Sequence, residues 1–293
     1  MQHIGEAIQA VMERAKAMAE QAAANTDSIQ KDQQSDRCPH GCINGFILTK
    51  DENGYEQATL CECEIKRRTQ IRFKNAEIPE EYENARFQNF KQDHPVHRTM
   101  YKAIMDYLKE ILPKDELERD RMGRIALKAP SFGFIAEYGE MRLKDLPAAE
   151  RFQIKKEKNS YGIGKTHLTM AAAKYLINKG YKVFCISDIT YLQDLMAAKQ
   201  TGDIERVNGL ISNATHYADI IVWDEMGRSK YSEAKEDMYY QIINELYKQQ
   251  KPIIFSSNED KETLEFKIGP AAYSRLKGMA KGNIYELSGP DMR

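Results

Sequence analysis

The chain has 293 residues, enough for one large domain accompanied by one or two small modules. Its 43 lysines and arginines against 44 aspartates and glutamates leave a formal net charge of −1, which excludes a whole-molecule attraction to nucleic acid or membrane and confines any basic surface to a local patch. No apolar run approaches the roughly 20 residues that span a bilayer, and the opening "MQHIGEAIQAVMERAKAMAEQ" lacks the charged start, apolar core and cleavage site of a secretory signal, so a soluble cytoplasmic protein is expected.

Residues 1 to about 24 set Ile4, Ile8, Val11, Met12, Ala15, Met18, Ala19 and Ala22 at helical spacing among charged and amide residues, which predicts one amphipathic helix. A single helix cannot bury such a stripe alone, so either the next module or a partner covers it. The stretch "NTDSIQKDQQSDR" is polar and without period; it reads as a linker, and helix and linker together form a first segment, 1–36.

Four of the five cysteines fall in a second segment, 37–75, and such clustering points to metal rather than disulfides. Cys38 and Cys42 form a CxxxC pair and Cys61 and Cys63 a CxC pair, on either side of a hairpin-like span carrying "DENG". Pairs joined by a hairpin can present four thiolates tetrahedrally to a structural Zn²⁺, free thiols being the alternative and His40 a bystander unless it replaces one ligand. Directly afterwards "IKRRTQIRFK" gathers Lys66, Arg67, Arg68, Arg72 and Lys74, either a patch able to track a phosphate backbone or a solvated helix face.

The remaining segment, 76–293, holds the core. Its first strand is expected in "FGFIAEY", 132–138. The next stretch, "DLPAAERFQIKKEKNS", reads as a helix with Asp145 as cap and Pro147 in the first turn, so an extra helix is expected to separate that strand from the loop after it. Then come a helix after "GKT", a strand in "YKVFCIS" with Cys185 buried in it, a charged helical stretch, a strand in "ADIIVW", a long helix through "EAKEDMYYQIINELYKQQ" and a strand in "KPIIFSSN". Strands alternating with helices predict an α/β fold with a parallel sheet covered on both faces.

"NSYGIGKT" approximates the phosphate-binding pattern GxxxxGK[ST], with Asn159 where the first glycine is wanted. In such a loop backbone N–H groups curve around phosphates and the following helix points its positive end at them. Gly162 and Gly164 allow the close approach, Lys165 reaches the terminal phosphates of ATP, and the Thr166 hydroxyl takes Mg²⁺. Asn159 is tolerable because asparagine enters the left-handed conformation more readily than most residues. The strand "IIVWDE" ends in Asp224, suited to holding Mg²⁺ through water, and Glu225, suited to polarising the attacking water. Asn258, ending "IIFSSN", can orient that water.

With these residues in hand the chain resembles, over about residues 38 to 293, the DnaC/DnaI family of bacterial helicase loaders, AAA+ P-loop ATPases, and particularly their phage and prophage versions. The resemblance rests on the order of the cysteine module, "NAEIPEEYENARFQNF", "YGIGKTHL", "IIVWDEMG", "QIINELYKQQKPIIFSSN", "YSRL" and "SGPDMR". It implies that Ile78 and Tyr82 lie beside the adenine, that Ile163 and His167 belong to the nucleotide loop, and that Asn258 is the sensor asparagine. It further implies that Arg275 is an arginine finger reaching a neighbouring subunit's γ-phosphate and that Arg293 is similar to the second sensor. Asn159, and Glu225 where many loaders carry a second aspartate, depart from the pattern.

The implied function is ATP-dependent loading of a hexameric replicative DNA helicase, with single-stranded DNA bound, self-association through AAA+ interfaces, and ATP, Mg²⁺ and Zn²⁺ as cofactors. No membrane partner is implied. Two alternatives stay open: a transposition helper ATPase of the IstB type, and an adaptor that binds nucleotide without turnover.

Overall fold

The computed structural model describes residues 38–292 apart from 40, 51, 53, 119–126 and 145. The expected N-terminal helix and linker, His40, Asp145 and Arg293 therefore lie outside the described residues. The chain divides into two compact units, Met1–Arg68 and Thr69–Arg293.

In the first unit β1 (Phe46–Lys50) and β2 (Glu56–Leu60) pair antiparallel in the register Phe46↔Leu60 to Lys50↔Glu56, the hairpin expected around "DENG". Both strands are largely exposed, and a two-stranded hairpin with no buried face is marginal by itself. Helix α1 (Glu62–Asn75) follows. Its Glu64 carboxylate accepts from Arg67 and Arg68, both at 2.7 Å, so two of the five cations in the basic stretch share one negative charge. Arg67 chiefly, then Arg68, hold Glu64 down at about 2.

The second unit is built on a five-stranded parallel sheet. Its strands are β3 (Phe132–Ala136), β4 (Val183–Ser187), β5 (Ile220–Asp224), β6 (Ile253–Ser256) and β7 (Ile284–Leu287), in the order β4-β5-β6-β3-β7. The inner strands are apolar on both faces because helices cover both, which is why they read as continuous apolar runs. Alternate residues serve opposite cores: Ile220 and Val222 join one, Ile221 and Trp223 the other.

The first core is closed by α2 (Pro95–Lys109), through Met100, Ile104 and Leu108, and by the helix after the loop. The second is closed by α6 (Asp188–Gln200), α8 (Glu233–Lys248) and α10 (Pro270–Ala280), with α7 (Ile204–Ser212) lying between β4 and β5 in the chain and α9 (Lys261–Ile268) just before α10.

Between β3 and the loop the chain inserts not one helix but two, α3 (Glu140–Lys144) and α4 (Ala148–Glu157), before α5 (Lys165–Asn178) begins. Pro147 is the residue ahead of α4 rather than a member of its first turn. A proline lacks the N–H that only a helix interior would use, so either place suits it. Arg142 ties the insertion down, donating to Glu262 at 2.6 Å and Glu286 at 2.9 Å, while the Gly139 N–H donates to Asp260 at 2.8 Å. The edge strand β7 had no forecast. It is short and only partly buried, so it carries little apolar signal.

Candidate nucleotide-binding site

The loop sits where β3 and β6 end and α5 begins, with Gly162 at φ +69° and Gly164 at φ +88°. Both conformations favour glycine, and crowding adds a second reason: a Cβ on Gly162 would come within 2.0 Å of the Asp291 carboxylate, and one on Gly164 within 2.6 Å of the Phe90 ring. Asn159 fits for a reason other than the one expected, because it is absent from the residues with positive φ. Its side chain instead brackets the turn, with Oδ1 accepting from the Tyr161 N–H at 3.0 Å and Nδ2 donating to the Tyr161 carbonyl at 2.7 Å.

Lys165 is buried and donates to the Ser160 carbonyl at 2.5 Å. Burial lowers its ammonium from the ordinary lysine value to about 8, against the opposing pull of Asp224 and Glu225. A bound polyphosphate would supply the charge that this pocket lacks.

Thr166 donates to Asp224 at 2.8 Å, and Ser256 donates to the same carboxylate oxygen at 2.5 Å. Burial raises the Asp224 carboxyl above its ordinary value, and these two hydroxyls pull it back. Magnesium–oxygen bonds of about 2.1 Å set neighbouring ligand oxygens roughly 3 Å apart, so the Thr166–Asp224 spacing fits an octahedral Mg²⁺ shell. Glu225 adopts φ +51°, uncommon for a non-glycine residue. Its N–H donates to Ser256 Oγ at 3.1 Å and its carboxylate accepts from Asn258 at 3.0 Å.

These groups open on a cleft of about 530 Å³ lined by Tyr82, Phe90, Tyr161 to His167, Glu225, Arg228, Asn258 and Met292 among others. Of the candidates from the sequence, Gly162, Ile163, Gly164, Lys165, Thr166, His167, Tyr82, Glu225 and Asn258 converge there, with Asp224 beneath them. Asn159 shapes the loop without lining the cleft, and Ile78 packs against the first core instead. The final residues return to the loop, since the Gly289 N–H donates to Asn159 at 2.7 Å and the Met292 N–H to Gly162 at 3.0 Å.

Residues 158–269 match the family profile described as IstB-like ATP binding protein. Over 98 residues the chain is 32% identical to an ATP-binding protein of insertion sequence IS5376 from Geobacillus stearothermophilus, taking in 33% of this chain and 37% of that one. It is 29% identical over 98 residues to an ATP-binding protein of insertion sequence IS21 from Pseudomonas aeruginosa, with 33% and 35% covered. The chain thus matches over about a third of the length of these relatives. Among solved structures, the DnaC helicase loader superposes with a TM-score of 0.51 at 16% identity, covering 72% of this chain and 100% of that one. The fold is that of an AAA+ P-loop domain.

Within this domain Arg275 stands on α10 away from the cleft lining. It donates to Asn244 at 2.9 Å and to the Ala271 carbonyl at 3.0 Å, with its guanidinium 4.8 Å from the Tyr240 ring centre. Several participants escaped sequence reasoning. Ser256 binds both Asp224 and the Glu225 backbone, yet a serine in "FSSN" is an ordinary strand end. Asp188 accepts from Trp223 Nε1 at 2.9 Å, Tyr239 at 2.5 Å and the Ser229 N–H at 3.0 Å, anchoring the turn after Glu225. Phe90 and Met292 meet over Gly164 from opposite ends of the domain's sequence, and no local pattern signals that.

In the first unit the ligand atoms of Cys38, Cys42, Cys61 and Cys63 all lie within 4.8 Å of one another, with Cys38–Cys61 and Cys42–Cys63 both at 3.4 Å. Zn–S bonds of about 2.3 Å place tetrahedral sulfurs roughly 3.8 Å apart, so the four thiols fit a closed structural site. None of the four is in a disulfide, and hydrogen bonding with Cys42 holds the Cys63 thiol above its ordinary value. Among the described residues no helix is long and apolar enough to cross a membrane.

Proposed function

We propose that this chain is an ATP-hydrolysing loader of a ring-shaped replicative helicase. The observation that carries the reading is a four-cysteine unit ahead of an AAA+ domain whose Lys165, Thr166, Asp224, Glu225 and Asn258 converge on one cleft. ATP with Mg²⁺ supplies the transferable γ-phosphoryl group and its charge-neutralising cation. Thr166 and Asp224 hold the cation, and Lys165 exchanges the Ser160 carbonyl for phosphate oxygens. Glu225 accepts the proton of the attacking water while Asn258, already bonded to it, orients carboxylate and water together. Arg275 acts in trans on the site of a second copy, a role supported by its position outside its own cleft. Arg293 serves as the second sensor, a role supported only by the resemblance of "SGPDMR". Tyr82 flanks the base from the cleft wall, and Ile78, which packs against the first core, belongs to the same entry segment. Zn²⁺ on Cys38, Cys42, Cys61 and Cys63 stabilises the unit that docks the helicase.

The IstB-like match and the two insertion-sequence relatives favour a second reading, a transposition helper ATPase. Reconstitution separates the two. The loader reading expects ATP-dependent deposition of the host's replicative helicase on circular single-stranded DNA. Stimulation of a transposase with no effect on helicase loading would establish the helper reading in its place. The bracketing of the loop by Asn159 supports a loop shaped for nucleotide, and phosphate release with DNA and helicase present separates the loader from the non-hydrolysing adaptor.

A further inference from the structure

The helices inserted between β3 and the phosphate loop border a second groove of about 1050 Å³, separate in position from the nucleotide cleft but sharing a wall with it. On α4 the residues that line it are Arg151, Ile154 and Lys158, spaced so as to form one helix face, while Glu150 and Glu157 belong to other faces and do not line it. Lys144 joins from α3, and Phe266 and Lys267 from α9 form the opposite side. Lys158 is paired with Glu137 at 2.8 Å and Lys267 with Glu259 at 2.7 Å, but among the described residues Lys144, Arg151 and Arg228 form no ion pair. Aromatic rings share the lining with these cations: Phe266 is 50% exposed with one face stacked on Tyr231 at 4.9 Å between centres, Tyr161 is 47% exposed, and Tyr138 is covered on one face by Lys158 at 4.8 Å.

Cations without an ion pair beside the exposed rings of Phe266 and Tyr161 in an open groove match one ligand chemistry above others, a polyanionic chain carrying flat π-systems. A folded acidic protein would use the cations and leave the rings idle. A free nucleotide would not need about 1050 Å³. We propose that this groove is the binding track for single-stranded nucleic acid, with Lys144 and Arg151 on the phosphates and Phe266 as a stacking platform for a base. Tyr161, Arg228 and Asn258 line both the groove and the nucleotide cleft, so a strand in the track touches residues that border the nucleotide. The proposal rests on the reading of the chain as a DNA-acting ATPase and assigns that action a site.

The test is fluorescence anisotropy of a labelled oligothymidylate of about 20 nucleotides with the full chain, Mg²⁺ and a non-hydrolysable ATP analogue, across a salt series. Variants are Lys144→Glu with Arg151→Glu, the milder Lys144→Gln with Arg151→Gln, Phe266→Ala, and Lys102→Glu as a control for net charge on α2. Analogue binding and melting temperature verify that each is folded. The charge-reversed pair is expected to weaken strand binding at least tenfold and to flatten the log–log salt slope by about 1.4, two phosphate contacts on a single strand. Phe266→Ala is expected to cost about five- to hundredfold. Native-like strand binding in the folded groove variants, or an equal loss in Lys102→Glu, would overturn the groove while leaving the ATPase reading in place. A native chain that binds the analogue but no strand would overturn the groove and the DNA-acting reading together.

Discussion

Lys165, the proposed phosphate contact, is costly to the empty fold. Burial depresses it to about 8, whereas in an unfolded chain it titrates near 10.5. The unfolded state therefore binds more protons between pH 8 and 10.5, so stability of the nucleotide-free protein rises with pH across that window. Below it, the charged ammonium remains a constant penalty. Lys165→Met is expected to abolish binding of ATP analogues yet to stabilise the free protein by about 1–2 kcal/mol near pH 7, after allowing for the orphaned Ser160 carbonyl. Thermal melts with and without nucleotide check both halves. Asn159 gives the opposite lesson about a motif. Restoring the glycine that the pattern wants removes the two hydrogen bonds to Tyr161. Asn159→Gly should weaken analogue binding about fivefold, and unchanged affinity would mean that the bracket is dispensable.

At the scale of elements, the site depends on a polar network set between strands and helices. Asp188 opens α6 and its carboxylate is buried, which raises its pKa, while Tyr239, Ser229 and Trp223 donate to it and oppose that rise. The turn carrying Glu225 and Arg228 is held through this one side chain. Asp188→Ala leaves the Trp223 N–H and Tyr239 hydroxyl buried without an acceptor and should destabilise the fold by about 3–5 kcal/mol, measured by denaturant unfolding. The first strand, the extra helical lead into the loop and the alternation of later strands were legible beforehand, because fully buried parallel strands are apolar on both faces. Edge strand β7 was not, since one side of it has no neighbour to demand burial. The division of the insertion into α3 and α4 was equally hidden, because Arg142 sets it through partners about 120 and 144 positions away.

For the whole molecule the two units call for separate tests. The small one has an exposed hairpin and four converging thiols, so on the proposed zinc reading its fold should follow metal binding. Capping the four thiolates with an organomercurial, which replaces each Zn–S bond by an S–Hg bond, is expected to release one Zn²⁺ per chain to a chelating dye and to melt the hairpin while the larger unit keeps its thermal transition; metal analysis and two-dimensional NMR would read this. Association is tested through Arg275. Arg275→Ala should bind ATP normally but turn it over at least 10³-fold more slowly. Mixing it with Lys165→Ala should restore part of the activity, because the first contributes an intact cleft and the second an intact arginine. No recovery on mixing, with both variants assembling, would remove Arg275 from a role in trans.

The sequence by itself determined the alternating strands and helices, the paired cysteines, the glycine-lysine-threonine loop and the acids that end a strand, because each is written in spacing over a few neighbours. Burial periodicity, glycine tolerance and ligand pairing act at short range along the chain. Only the tertiary structure decided that Asn159 brackets a turn rather than replacing a glycine conformation. It alone set Ser256 and Asp188 behind the acids, brought Phe90 and Met292 together over Gly164, and opened a basic, aromatic groove against the nucleotide cleft. Those arrangements join residues tens to hundreds of positions apart, and hydrogen bonds or ring contacts of that kind leave no local pattern, because packing rather than chain order selects the partner.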